Sequence, residues 1–180
     1  MSLLASSCLV VGSPDFTDEP TKPVLVRTEP PTDKLICVKK TDNKFLDQSF
    51  KVFFESYDAG EDLTAALVKD YGVANLDEPY TRIQETSVTA GTGEVALSWP
   101  LGMEVAGTCH SITMLVVRHP YAKPPYNFCP TDDHYFSATW FVALADDNDV
   151  CDFSDCPSTV NNANPLSCPD SLKTPAGGAP

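Results

Sequence analysis

Short runs of β-branched and aromatic residues, separated by turn residues, recur along the chain from residue 35 to residue 144. Such side chains fit a pleated surface, so these runs are typical of β-strands. The seven runs are LICVK, SFKVFFESY, LTAALVKD, TRIQETSV, EVALSWP, HSITMLVVR and YFSATWFVAL. They leave no room for the long crossover helices of a parallel sheet. The spacing therefore predicts an all-β chain, an antiparallel immunoglobulin-like β-sandwich of about seven strands.

Apolar side chains alternate along these runs, and the alternation predicts which face of each strand is buried. Three sets share a face: Phe50, Val52 and Phe54; Val95, Leu97 and Trp99; and Phe136, Ala138, Trp140, Val142 and Leu144. LTAALV is ambiguous, because its alanines would also suit one helical turn. Its length, its Thr and Val, and its position between Gly60 and Gly72 favour a strand.

The run HSITMLVVR is apolar on both faces. Ile112, Met114 and Val116 lie on one face, and Leu115 and Val117 lie on the other. This pattern predicts a central strand that is buried on one side and partly covered on the second.

The composition divides the chain into three parts. Residues 1–34 form a proline-rich N-terminal arm, with at most an edge strand at VLVR, because proline interrupts helices and central strands. Residues 35–145 form the β-sandwich domain. Residues 146–180 form an acidic, cysteine-rich tail with few apolar side chains, so disulfides or a partner surface must hold it.

Seven cysteines are present and no CxxC motif occurs. Zinc sites need closely spaced pairs of thiols, so disulfides in an oxidising compartment are favoured over zinc. That compartment is the endoplasmic reticulum lumen, another organelle lumen or the cell exterior. The candidate cysteines are Cys109, Cys129, Cys151, Cys156 and Cys168. The expected pairs are Cys109 with Cys129, and Cys151 with Cys156 or Cys168.

The chain carries 25 acidic and 12 basic side chains, a formal net charge of −13. This charge repels phosphate backbones and anionic membrane surfaces, so a nucleic acid partner is excluded. No run of apolar residues is long enough to span a bilayer, and we expect no transmembrane segment.

The histidines give little sign of catalysis. His110 and His119 lie at opposite ends of one predicted strand, about 30 Å apart at roughly 3.3 Å per residue, so they cannot share a metal ion. The segment TDDHYF gathers Asp132, Asp133 and His134, which supports an enzyme only as a weaker alternative to a polar turn. No phosphate-binding loop, G-x-S-x-G or H-E-x-x-H motif occurs. We therefore predict no catalytic residue, no cofactor and histidines isolated on the surface.

Two blocks carry a family resemblance. The first block, FKVFFESYDAGEDLTAALVKDYG, has a strand ending at a tyrosine, then a tight turn, then an alanine-rich strand. The second block is EVALSWPLGMEVAGTCHSITMLVVRHP followed by FSATWFVALADD. It has a Trp-bearing strand, a strand ending near Arg-x-Pro and a final strand. In order and spacing these blocks resemble the beta subunit of the translocon-associated protein complex of the endoplasmic reticulum. The resemblance implies a lumenal sandwich domain. It also implies an accessory, non-catalytic subunit whose partners are protein subunits of a membrane-associated assembly.

The start of the tail, DDNDVCDFSDCPSTVNNANP, is similar to one thrombospondin type 3 calcium repeat. Carboxylates at Asp147, Asp149, Asp152 and Asp155 would supply the oxygen ligands that Ca²⁺ prefers. A solvated acidic loop is the alternative interpretation. If calcium binds, the chain would instead be a calcium-dependent extracellular binding or adhesion module.

Overall fold

The structure, a computed structural model, describes residues 22–56, 62–71, 81–89, 93–118 and 134–151. This part of the chain contains no helix. Its eight strands are β1 (Val24–Glu29), β2 (Ile36–Lys39), β3 (Gln48–Glu55), β4 (Asp62–Lys69), β5 (Thr81–Thr89), β6 (Gly93–Trp99), β7 (Thr108–Val117) and β8 (Tyr135–Ala145). Seven of them coincide with the seven predicted runs, and LTAALV is a strand. The all-β prediction is confirmed.

The strands form two sheets, one of three strands in the order β1-β3-β6 and one of five in the order β2-β8-β7-β4-β5. Neighbouring strands in the described part run antiparallel, except that β2 runs parallel to β8. The prediction of an antiparallel sandwich is therefore wrong for this one pair. β2 needs no crossover helix because its partner, β8, lies about a hundred residues later in the chain.

The two sheets face each other across one apolar core. The alternating faces predicted for β3, β6 and β8 are buried there, and the rings of Phe50 and Trp140 meet with their centres 4.8 Å apart. Farther along the interlayer space, the centres of Phe54 and Phe136 are 5.7 Å apart. Aromatic contacts between the sheets thus occur at two levels of the core.

β7 is the central strand, and its seven residues from Ser111 to Val117 are all buried. Ile112, Met114 and Val116 belong to the main core. On the opposite face, Leu115 packs in a second apolar cluster with Ala66, Val68 and Tyr71. The prediction of a central strand buried on one side is confirmed, whereas the second side, expected to be partly covered, is buried as well.

β1 is an edge strand of the three-stranded sheet and lies within the proline-rich arm. It pairs with β3, and a register shift between Leu25 and Arg27 leaves Val26 as an extra residue. Just after β1, the carbonyl oxygen of Pro30 accepts a hydrogen bond of 2.6 Å from Trp140 Nε1. The division into arm, sandwich and tail stays a prediction, because residues 1–21 and 152–180 lie outside the described residues.

A disulfide joins Cys37 of β2 to Cys151, with a Cα–Cα distance of 5.8 Å. The expected pairing of Cys151 with Cys156 or Cys168 is therefore wrong. The cause lies in the register: Cys37 pairs with Ala143 of β8, and the chain after β8 turns back to bring Cys151 beside β2. A pair 114 residues apart cannot be found from local cysteine spacing.

Cys109 of β7 is also disulfide-bonded. Cys129, its expected partner, lies outside the described residues, as do Cys156 and Cys168. Two cysteines bonded to each other and a third in a disulfide indicate an oxidising environment.

We expect Trp140→Ala to lower the free energy of unfolding by about 3–5 kcal/mol, because it leaves a cavity at the sheet interface and removes the hydrogen bond to Pro30. Trp140→Phe keeps most of the apolar contact and loses only that bond, so its cost should be about 0.5–1.5 kcal/mol plus a small packing term. Urea denaturation measures both. Equal losses for the two variants would contradict the assigned packing.

Removing the disulfide by the double change Cys37→Ser and Cys151→Ser should lower the free energy of unfolding by about 4–5 kcal/mol, because the bond closes a loop of more than a hundred residues. Chemical denaturation of the variant and the parent protein measures the difference. Midpoints that coincide would mean that this bond does not form in the native protein.

Candidate functional site

One end of the sandwich gathers three connecting segments, residues 40–47, 100–107 and 146–151, and we call it the loop end. The loop between β6 and β7 is fixed to β8 by a 2.7 Å hydrogen bond from Gly107 N to Leu144 O. Lys40 N donates to Ala145 O at 3.1 Å, which fixes the segment after β2 to the same strand. The three segments are therefore held to one frame by backbone hydrogen bonds.

A group of polar side chains closes the apolar core at the loop end: Lys69, Asp70, Glu104 and His110, here called the polar cluster. Lys69 Nζ lies 2.8 Å from Glu104 Oε1, and His110 Nδ1 lies 2.9 Å from Asp70 Oδ2. His110 Nε2 is 3.8 Å from a carboxylate oxygen of Glu104. Each side chain is 15–20% exposed, so these ion pairs are screened less than surface pairs.

Strand alternation explains why the polar cluster faces inward. His110 precedes Ile112 on the core side of β7, and Lys69 follows Leu67 on the core side of β4. Trp99, the last core residue of β6, packs beside both His110 and Lys69. Its ring centre is 5.5 Å from that of His110, edge to face, and 5.9 Å from Lys69 Nζ. The polar cluster is thus the last inward layer before solvent.

Asp70 connects β4 to β7 beyond the end of their ladder. Its backbone N donates to Ser111 O at 2.7 Å, and its Oδ1 accepts from Ser111 N at 3.1 Å. Its φ of 56° lies in the left-handed region, which aspartate tolerates better than most residues. One side chain therefore serves the β7 backbone and His110 together.

Both ring nitrogens of His110 are engaged. Nδ1 faces the Asp70 carboxylate, and Nε2 lies 3.1 Å from Thr108 Oγ1. Thr108 Oγ1 in turn donates to Val105 O at 2.7 Å. Thr108 Oγ1 therefore links the imidazole of His110 to the β6–β7 loop.

This sequence of hydroxyl, imidazole and carboxylate resembles a nucleophile with its base. In this chain the same hydroxyl also lies 2.7 Å from Val105 O, in the loop between β6 and β7. The arrangement braces the β6–β7 loop. The expectation of isolated surface histidines is wrong for His110. Its position on the core face of β7, two residues before Ile112, was the signal in the sequence.

Beside the polar cluster lies a cleft of about 250 Å³ between the β6–β7 loop and the segment after β8. Thr108 lines this cleft and contacts His110 of the polar cluster. The cleft is lined by Gly107, Thr108, Ala143, Leu144, Ala145, Asp149 and Val150. Large apolar side chains stand exposed on the three segments of the loop end, and Val150 among them lines the cleft: Leu46 (66%), Met103 (97%), Val105 (67%) and Val150 (86%).

The candidate calcium ligands are only partly described. Asp147 and Asp149 lie in the turn after β8, where Asp149 N donates to Asp146 O at 3.1 Å. Asp152 and Asp155 lie outside the described residues. Within the described ranges, no three His, Cys, Asp or Glu side chains are grouped to hold a metal ion. The calcium site stays a prediction.

The TDDHYF segment is described only from His134, whose carbonyl oxygen accepts a 3.3 Å hydrogen bond from Arg118 N. Asp132, Asp133 and His119 lie outside the described residues. The alternative of a catalytic site at this segment stays a prediction.

No model of a known protein family matches the chain, and no curated protein matches it at a significant level. Among the described residues there is also no helix that could cross a membrane.

We expect Asp70→Ala to cost about 1–3 kcal/mol of stability, because it leaves His110 and Ser111 N without their acceptor. Asp70→Asn should cost less, since the amide oxygen still accepts from Ser111 N and asparagine tolerates the positive φ. Urea denaturation gives the two free energies, and the amide chemical shift of Ser111 reports the local bond. Identical results for the two variants would argue against this bracing role.

Proposed function

We propose that this protein is a non-catalytic, immunoglobulin-like β-sandwich that serves as an accessory or structural subunit of a larger, membrane-associated protein assembly. The observation that carries the proposal is the exposure of Leu46, Met103, Val105 and Val150 at one end of the sandwich. Large apolar side chains that gather on one surface mark a contact with another protein.

The frame beneath these side chains supports a binding role. The polar cluster braces the β6–β7 loop, and the Cys37–Cys151 disulfide fixes the segment that carries Val150. A surface held in one conformation loses little entropy when a partner docks, so more of the contact energy is retained as affinity.

The proposed compartment is the lumen of the endoplasmic reticulum, another organelle lumen or the cell exterior. Disulfides are stable in all three. The resemblance to the beta subunit of the translocon-associated protein complex favours the first, because its two blocks cover β3, β4, β6, β7 and β8. A lumenal accessory subunit would meet its partners through an exposed end such as this one.

A calcium-dependent extracellular binding module is the second candidate. Asp147 and Asp149 are both exposed, lie in one turn and make no ion pair with a described residue. Titration calorimetry with calcium chloride distinguishes the two functions. Saturable heat that Asp147→Asn abolishes would favour the calcium module over the accessory subunit.

The accessory role predicts site-specific cross-linking at the loop end. A photoreactive amino acid replaces Met103 in the full chain, which is then irradiated in native membranes. We expect covalent adducts with defined membrane-associated proteins, identified by mass spectrometry. The control places the same group at Val24, which is 51% exposed and at the opposite end of the sandwich.

The same adducts from both positions, or none from Met103, would overturn the proposal.

A further inference from the structure

Among the side chains of the loop end that form no ion pair in the described part, carboxylates outnumber ammonium groups. Two lysines near the three segments are already neutralised, since Lys40 Nζ lies 2.6 Å from Asp146 Oδ1 and Lys69 pairs with Glu104. The charged side chains of these segments that form no ion pair within the described part are Asp42, Asp47, Asp147, Asp149 and Lys44. Lys39, exposed at the end of β2 and paired in register with Ala145 of the cleft wall, adds a second cation. Four carboxylates against two ammonium groups leave this surface net negative, in a chain whose net charge is −13.

The cleft combines a mixed polar and apolar lining with one acid. Leu144, 2% exposed, forms part of its wall beside the small residues Gly107 and Ala143, and Val150 and Asp149 also line it. Its volume of about 250 Å³ is below the roughly 300–1,000 Å³ of pockets for small-molecule ligands. It therefore suits a single side chain from a polypeptide better than a free small molecule.

One kind of side chain matches both features of the cleft. Lysine and arginine have a methylene stem that packs on apolar surface and a charged head that stays near water or an acid. With the stem against Leu144 and Val150, the head would reach Asp149 at the same cleft. Aliphatic neighbours of that basic residue would then cover Met103 and Val105.

Other occupants complement this surface less well. A second copy of the chain also has a net charge of −13. The residues that follow Cys151 contain Asp152, Asp155 and Asp170 against the single Lys173, so they too are net acidic. Like charges across an interface oppose binding.

We propose that the loop end binds a basic, aliphatic segment of a partner protein and takes one lysine or arginine side chain into the cleft formed by Leu144, Asp149 and Val150. This inference rests on the proposed function, since it states the chemistry of the partner. The cleft walls are preorganised by the Gly107–Leu144 hydrogen bond and the Cys37–Cys151 disulfide.

The test is fluorescence anisotropy with the full chain and a labelled synthetic peptide, GSRLKVRLGS, beside its charge-reversed form, GSELEVELGS. The parent protein should bind the basic peptide saturably and the acidic one not at all. Asp149→Lys and Val150→Ser should each weaken binding by about tenfold or more. The matched control is Asp62→Lys, which makes the same charge change at an exposed position at the opposite end and should leave affinity within about threefold.

Equal weakening by Asp62→Lys would mean general attraction to an acidic protein and would overturn the proposal. So would a lack of saturable binding by the parent protein. Sedimentation of the protein alone tests a different occupant, because a dimer that Val150→Ser dissociates would assign the cleft to a second copy. Cross-linking from Met103 to a partner, together with failure of the peptide, would reject this chemistry and leave the accessory role standing.

Discussion

The contact between Phe50 and Trp140 joins the two sheets, and the rest of the sandwich is arranged around it. Their ring centres lie 4.8 Å apart, tilted by 47°, which is a favourable aromatic geometry. Trp140 is fully buried and donates its indole proton to Pro30. A single side chain thus fixes the distance between the sheets and holds the segment that leaves β1. Because the indole N–H has a partner, its burial brings no unsatisfied donor into the core.

At the loop end, the apolar core of the sandwich meets solvent. A layer of paired polar side chains lies between the two. Lys69, His110 and Trp99 occupy the last inward positions of three strands, where the interlayer space opens to water. Unpaired charges there would be costly, whereas Asp70 and Glu104 supply partners from the loops that enter this end. The loops are held by the core through these pairs, which leaves their apolar side chains to face outward.

The sequence allowed the strands and their buried faces to be predicted, because alternation is a local property that each run carries by itself. Position 112 of β7 faces the core whatever strand lies beside it. Pairing is not local. The parallel alignment of β2 with β8, the Cys37–Cys151 bond and the contact of His110 with Asp70 each join residues at least 40 positions apart. No spacing rule connects such residues until the sheet order is known. The pairing predicted for Cys151 was wrong for that reason, since it placed within the tail a partner that lies in β2.

Local alternation and long-range strand pairing also determine where the candidate site lies. The interior is determined by alternation and filled by apolar side chains, and the cleft lies at its edge. The surface properties of the loop end arise instead from long-range pairing. The disulfide places Val150 and Asp149 against β8, and the Gly107–Leu144 hydrogen bond places the β6–β7 loop on the other side of the same strand end. Reduction of the disulfide would free one wall of the cleft as well as lower the free energy of unfolding. In reduced protein that is still folded, binding at the loop end should therefore be weaker, because the segment that carries Asp149 and Val150 is no longer fixed to β2.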